Sequence, residues 1–254
     1  MVNRKNRKIV IVILSLLIAC LVLIGTYSYY NYSKDKQKNY ELLDVNNKEV
    51  ADLFYLTRGD YRTNLFYGTE YYNIYYKEDK ILTNELNENF KKLLAYYTLD
   101  KTLIEKSDTT TVFSASNLKK QYINIFGDDI KYVDDDIYCD CPLEIIYLPP
   151  YKQYVIETEA YGMMILERYD NKIIEVRKYE DKIEIYEKVV FFVLDDNTGI
   201  VSYYRDSSFK EKLMDTTGNK QFNFDDYEKQ CDTYKYTFTL KNDLYYFSSV
   251  ERIK

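Results

Sequence analysis

The hydrophobic period of this chain changes at Gly127, and that change constrains the fold more than any other feature. Before it, apolar residues recur at helical spacing. Leu86, Phe90, Leu93, Leu94 and Tyr97 form one stripe with Lys and Glu opposite. Leu118, Tyr122, Ile125 and Phe126 form another over residues 115–126, with Ser114 placed to cap its start and Gly127 to end it. Asn46 with Glu49 three residues on reads as an earlier helix start, with Val50, Leu53, Phe54 and Thr57 on one face ahead of Gly59. The tyrosine-dense stretch 61–80 reads as a turn followed by a short helix or an extended segment.

After Gly127 the pattern alternates. Candidate strands are 130–133, 143–148, 153–159, 163–177, 182–194 and 200–204, with the Asx and Gly chemistry of a hairpin loop at 195–199. Residues 207–230 are polar and read as partly helical, with Phe222, Phe224 and Tyr227 directed inward. The chain closes on a hairpin in which Tyr234, Tyr236, Phe238 and Leu240 alternate with Lys235, Thr237 and Thr239 before Lys241-Asn242-Asp243 turns into 244–253. Adjacent long strands with short connections favour antiparallel pairing, since parallel pairing needs a crossover of about a dozen residues. The expected fold class is therefore α+β: residues 42–127 mainly helical, residues 128–254 a curved antiparallel sheet. In element order this resembles the NTF2-like or cystatin-like arrangement.

The first thirty residues are of another kind. Arg4, Lys5, Arg7 and Lys8 precede an apolar run from Ile9 to Ile24 broken only by Ser15, and no charge occurs between Lys8 and Lys34. A helix rising about 1.5 Å per residue crosses a core of about 30 Å within this window. The expected organisation is a cytoplasmic basic tail (1–8), a transmembrane helix (9–30) whose partner is the lipid bilayer, a spacer (31–41) and an extracytoplasmic domain (42–254), oriented by the basic tail. Tyr27, Tyr29, Tyr30 and Tyr32 suit an aromatic belt at the far interface. Cleavage as a signal peptide has only the poor Thr26-x-Ser28 site to use. Leu17-Ile18-Ala19-Cys20 resembles a lipobox, but the apolar run continues past Cys20 where such a signal turns polar.

Composition narrows function mainly by exclusion. The chain has 254 residues with 31 Tyr, no His and 7 Gly. Without histidine, Ser-His-Asp and Cys-His triads and histidine-ligated metals are excluded. The scarce glycines form neither a Walker loop nor a dinucleotide fingerprint. Ser116 and Lys119 have the spacing of a Ser-Lys pair, yet both sit at an exposed helix start with ordinary capping and solvation roles. Beyond the basic tail, the 35 Lys and Arg fall to 31 against 41 Asp and Glu, a formal charge of −10 with the two signs interleaved, which argues against nucleic acid as partner.

Cys139, Cys141 and Cys231 lie in the expected exterior, where a disulfide is permitted and Cys231 can pair with either of the others. The sharper alternative is a metal bound by Cys139-Asp140-Cys141 with Asp134, Asp135 and Asp136. Structural zinc generally wants four Cys or His ligands, so no metal and no cofactor is expected, and the acid run reads as a solvated loop. The wealth of Tyr, Lys, Asn and Ile is what an AT-rich genome writes.

The basic tail and apolar run, with EIYEKVVFF (184–192) and TYKYTFTL (233–240) followed by YYFSSVERI (245–253), resemble membrane-anchored surface proteins of AT-rich, low-GC Gram-positive bacteria. That resemblance implies location and kinship of fold, and transfers no catalytic residue. The function expected is a binding or scaffold module for an envelope protein, peptide or glycan, with Tyr71, Tyr72, Tyr75 and Tyr76 as candidate contacts. The alternative is an envelope hydrolase or transferase using carboxylate chemistry, although 41 acids make chance pairs unavoidable.

Overall fold

The computed structural model describes residues 39–59, 74–138, 144–157, 167–195, 197–217 and 222–253. The chain divides into two units, Met1–Glu41 and Leu42–Lys254. Among the described residues no helix is long and apolar enough to cross a membrane. The single-pass reading is corrected to that extent: the described residues supply no spanning helix, and residues 9–30, on which that reading rests, lie outside them together with the basic tail.

The α+β expectation is also overturned, because among the described residues strand outweighs helix, 44% to 23%, in two antiparallel sheets. Four short α-helices are described: α1 (Lys48–Tyr55), α2 (Glu88–Tyr97), α3 (Ala115–Phe126) and α4 (Phe224–Tyr227). The strands are β1 (Glu41–Leu42), β2 (Lys80–Leu82), β3 (Ile104–Lys106), β4 (Thr110–Ser114), β5 (Ile137–Tyr138), β6 (Glu144–Leu148), β7 (Gln153–Glu157), β8 (Glu167–Lys178), β9 (Lys182–Asp195), β10 (Ile200–Tyr204), β11 (Lys212–Thr217), β12 (Asp232–Lys241) and β13 (Leu244–Ile253). The larger sheet runs β8-β9-β12-β13-β2, and the smaller one β3-β4-β7-β6-β5. Strand β9 divides one edge between two partners: residues 182–189 pair with β12 and residues 191–195 with β10, which in turn carries β11.

The division into a helical half and a sheet half fails at identifiable places. Strands β2, β3 and β4 come from the half expected to be helical. Thr110-Thr111-Val112-Phe113-Ser114 is β-branched and alternating, but its five residues were outweighed by the helical stripes on either side. Residues 130–133 form no strand; the Tyr132 ring instead packs edge-on against Tyr122 at 5.0 Å. Lys212–Thr217, inside the interval read as partly helical, is strand β11 paired antiparallel with β10, with a register shift between Tyr203 and Tyr204.

Local signals elsewhere act as their chemistry dictates. The cap of α1 is Asn47, one residue after Asn46; its side chain accepts from the Glu49 N–H, while the Asn46 N–H donates to Asp44. Ser114 caps α3 by accepting from the Asn117 N–H at 3.2 Å, and Gly127 ends it at φ 88°. The closing hairpin turns on Asn242 and Asp243, both at positive φ, the conformation that a two-residue primed turn requires.

One hydrophobic core draws on both sheets: Phe113, Ile145, Tyr154 and Ile156 from the smaller, Ile183, Ile185, Val189, Tyr236 and Phe238 from the larger. Helix α3 touches both β13 and β4, so the helical layer joins the two sheets. A second small cluster, Val190, Tyr203, Phe222, Phe224 and Cys231, lies under the β10–β11 arm, with Tyr227 packed against it, so the three aromatics expected to point inward do so.

The core also holds an ion pair. Just past α1, Arg58 donates from Nη1 to Glu187 Oε1 at 2.8 Å and from Nη2 to Oε2 at 3.1 Å, with the two side chains 3% and 0% exposed. The guanidinium lies 3.8 Å from the Phe54 ring centroid and 5.2 Å from that of Tyr236. Burial opposes its charge, but the Glu187 carboxylate together with the Tyr236, Tyr76 and Tyr169 hydroxyls outweighs burial and raises its pKa. Removing one partner of such a pair strands a buried charge. Arg58→Ala or Glu187→Ala is therefore expected to lower unfolding stability by about 3–5 kcal/mol in urea titrations, whereas replacing both by Met and Leu recovers most of it. Gly59, at φ +64°, carries a second constraint: a Cβ there would meet the Tyr97 carbonyl oxygen at 2.7 Å. Gly59→Ala should cost at least about 1 kcal/mol by the same measurement.

Candidate functional site

Glu184 and Glu187 are three residues apart on β9, and side chains alternate along a strand, so the two carboxylates point to opposite faces of the larger sheet. Glu187 faces the core. Glu184 faces outward, yet is only 4% exposed, because neighbouring long side chains cover it. Register explains the cover. Glu184 is opposite Arg177 on β8 and Thr237 on β12, and Tyr186 is opposite Glu175 and Lys235, which is opposite Glu251 on β13. Two cross-strand rows of polar residues thus run across four strands.

Both carboxylate oxygens of Glu184 are engaged. Oε1 accepts from Lys182 Nζ at 2.8 Å and lies 3.9 Å from Lys235 Nζ; Oε2 accepts from the hydroxyls of Tyr186 at 2.8 Å and Tyr179 at 3.2 Å. Arg177 extends the network: its guanidinium sits 4.4 Å from the Tyr186 ring centroid, donates to the Tyr186 hydroxyl at 3.0 Å and pairs with Glu175 at 2.6 Å. Lys235 pairs with Glu251 at 2.9 Å. Burial alone would raise the Glu184 pKa; the hydrogen bonds from Lys182 and Tyr186 and the charge of Lys235 outweigh it and hold the carboxyl below its ordinary range. Burial, together with the same carboxylate, pushes the Tyr186 hydroxyl up. A fully hydrogen-bonded Glu184 with its pKa held low organises its neighbours and has no proton to give at neutral pH.

The residues singled out from sequence lie elsewhere. Tyr75 and Tyr76 are 1% and 3% exposed. Tyr75 packs edge-on against Phe90, Tyr236 and Phe247, and Tyr76 against Tyr169, Phe191 and Tyr234. Their hydroxyls are also used: Tyr75 donates to the Thr57 carbonyl at 2.9 Å, and Tyr76 donates to Glu187 at 3.3 Å and lies 3.0 Å from the Tyr236 hydroxyl. As placed, these two rings fill the core and present no surface; Tyr71 and Tyr72 lie outside the described residues. Cys231 is a buried free thiol whose pKa burial pushes up to about 11. Cys139 and Cys141 lie outside the described residues. Among the described residues no group of His, Cys, Asp and Glu is arranged to hold a metal ion.

The acid run is a loop with Asp134 and Asp135 exposed, as expected, and each of its carboxylates also has a partner. Asp134 accepts from the Tyr154 hydroxyl at 3.1 Å, Asp135 pairs with the buried Lys92, and Asp136 accepts from the Tyr147 backbone N–H at 2.7 Å. Ser116 is 3.1 Å from the Ser114 hydroxyl at the start of α3, within the cap. Comparison with family models, with curated proteins and with solved structures finds no match to this chain.

The sign of the pH dependence follows from the lowered Glu184 pKa. Its contribution to stability is fully present above the ordinary carboxylate value of 4.5 and is lost as pH falls below that through the folded-state value. Glu184→Gln should therefore flatten the acid limb of a thermal-stability profile below about pH 4.5 relative to the parent chain; an unchanged limb would show that the network does not hold the carboxylate ionised.

Proposed function

We propose that the domain is a binding or scaffold module whose ligand surface is the outward face of the larger sheet around Glu184. One observation supports this reading above the others: a buried carboxylate on an outward face fixes two tyrosine hydroxyls, two ammonium groups and, through Tyr186, a guanidinium on one rigid sheet. A face that only needed solvation would require none of this. Fixed donors and ring faces lose little freedom on association, which favours recognition of a polar ligand. A glycan or an extended peptide of an envelope component, the partner classes expected from the sequence, suits such a surface, since Tyr offers an apolar ring with a polar tip. Hydrolase or transferase chemistry gains no support from Glu184, because a general acid needs a raised carboxyl pKa and a free oxygen.

A photo-crosslinking residue at Thr237, directly opposite Glu184, tests the proposal in intact cells. One discrete adduct is expected, with its yield reduced about tenfold, or ~1.4 kcal/mol of affinity, by Lys235→Glu and unchanged by Lys101→Glu on a distant exposed turn. Absence of a discrete adduct, or one indifferent to Lys235→Glu, would remove the surface from consideration.

A further inference from the structure

The smaller sheet has an outward face whose half-buried aliphatic residues belong to neither hydrophobic cluster. Alternation sends Phe113, Tyr154 and Ile145 to the core and Val112, Val155 and Ile146 to the other side, and none of these last three belongs to, or packs against, either hydrophobic cluster. Register lines them up: Val112 is opposite Val155, and Val155 is opposite Ile146, an aliphatic row across β4, β7 and β6. Strands about 4.8 Å apart make this row about 10 Å wide, the diameter of one α-helix.

On the strands beside the row the charge is of one sign. Glu105 is opposite Val112 at the β3 end. One step beyond the observed β6–β7 register sets Glu144 opposite Glu157, both exposed. Like charges directly opposite on neighbouring strands are unfavourable. The described ion pairs include none of these three acids. The five strands carry a single basic residue, Lys106, which is opposite Thr111 and so on the core side of the pleat.

From this complementarity we infer that the outward face of the smaller sheet docks a cationic amphipathic helix of a partner protein, its apolar stripe over Val112, Val155 and Ile146 and its Lys or Arg residues beside Glu105, Glu144 and Glu157. Charge disfavours the other occupants. A second copy would bring the same three carboxylates face to face, and an anionic bilayer would be repelled. The site is distinct from the Glu184 surface, so either can fail without the other.

The full chain is titrated with a fluorescent 14-residue Lys/Leu peptide of helical amphipathic pattern and with its Glu/Leu counterpart. Saturable binding of the Lys/Leu peptide alone is expected, weakened at least tenfold by the double variant Glu144→Lys/Glu157→Lys and by Val155→Thr, and unchanged by Glu251→Lys on the larger sheet. Circular dichroism and thermal melting confirm that each variant is folded, and the single variant Glu105→Lys, at an exposed edge, gives an independent reading if the double variant is not. The inference is overturned by equal binding to parent and face variants, by binding of the Glu/Leu peptide, by sedimentation showing a dimer that Val155→Thr dissociates, or by flotation with phosphatidylglycerol vesicles that the same variant abolishes.

Discussion

The buried pair of Arg58 and Glu187 is the constraint around which the core is organised. It joins residues 129 positions apart, tying the end of α1 to the middle of β9. Two charges removed from water are tolerable only where the geometry is good and the remaining hydrogen-bonding capacity is met. Here the contact is bidentate, Tyr76 supplies a further hydrogen bond to the carboxylate, and Phe54 and Tyr236 lay ring faces toward the cation. The tyrosines then constrain one another. Tyr234 donates to the Tyr76 carbonyl, which also accepts from Ser207. The ion pair accounts for how this part of the core accepts Tyr76 and Tyr236, since a buried hydroxyl needs a polar partner and Glu187 supplies the first.

Strand β9 links this centre to the rest. Its inner face carries Glu187 and its outer face Glu184, one edge is shared by β12 and β10, and the β10–β11 arm is fastened back over the outer end. Lys188 donates to the Cys231 carbonyl at 3.1 Å, and Asp232, 4% exposed, receives Arg205 at 2.8 Å and also pairs with Arg252. The loop after β10 is built around one carboxylate: Asp206 accepts backbone N–H groups from Ser208, Lys210 and Glu211, and holds Phe209 at φ 56°. A bulky residue in the left-handed region is strained. The return is contact, since the Phe209 ring meets Tyr204 at 5.5 Å and Phe191 at 6.4 Å, and so closes the core beside Tyr76.

Much of this was legible wherever the period was long. The stripes of α2 and α3, the long β8 and β9 runs and the closing hairpin all follow from spacing, because each repeats its pattern over ten residues or more. The short elements were not legible. Lys80–Leu82 and Ile104–Lys106 have three residues each, too few to display a period, and owe their strand conformation to the longer strands they pair with. The two-sheet division was hidden for the same reason, since β3 and β4 lie between helices in the chain. For the sites, one signal was present. In EIYEKVVFF the glutamates are three apart, an odd spacing that in a strand forces them onto opposite faces, so one of the two had to turn inward and find a cation. Which cation it would find was hidden, since Arg58 is 129 residues away on a different element.

The charge of the chain is likewise a property of particular faces rather than of the whole. On the outward face of the larger sheet, Glu175, Glu184 and Glu251 each sit beside a cation, so that surface is near neutral despite its density of charge. The acid run at 134–136 is drawn into hydrogen bonds with Lys92, Tyr154 and the β6 backbone. Asp136 in particular accepts the Tyr147 N–H on the β6 edge, beyond the two residues that β5 covers, and so blunts an edge that would otherwise invite another strand. The surplus of acids is thus spent unevenly: where a carboxylate is buried it has been given a cation or an N–H, and where it stands exposed beside aliphatic side chains on the smaller sheet it has not. Repulsion between neighbouring carboxylates there is small while water screens it, and grows once that face is desolvated. A surface of this kind is stable when free and discriminating when covered, because only a partner that brings its own positive charge can exclude the water without leaving the carboxylates unpaired.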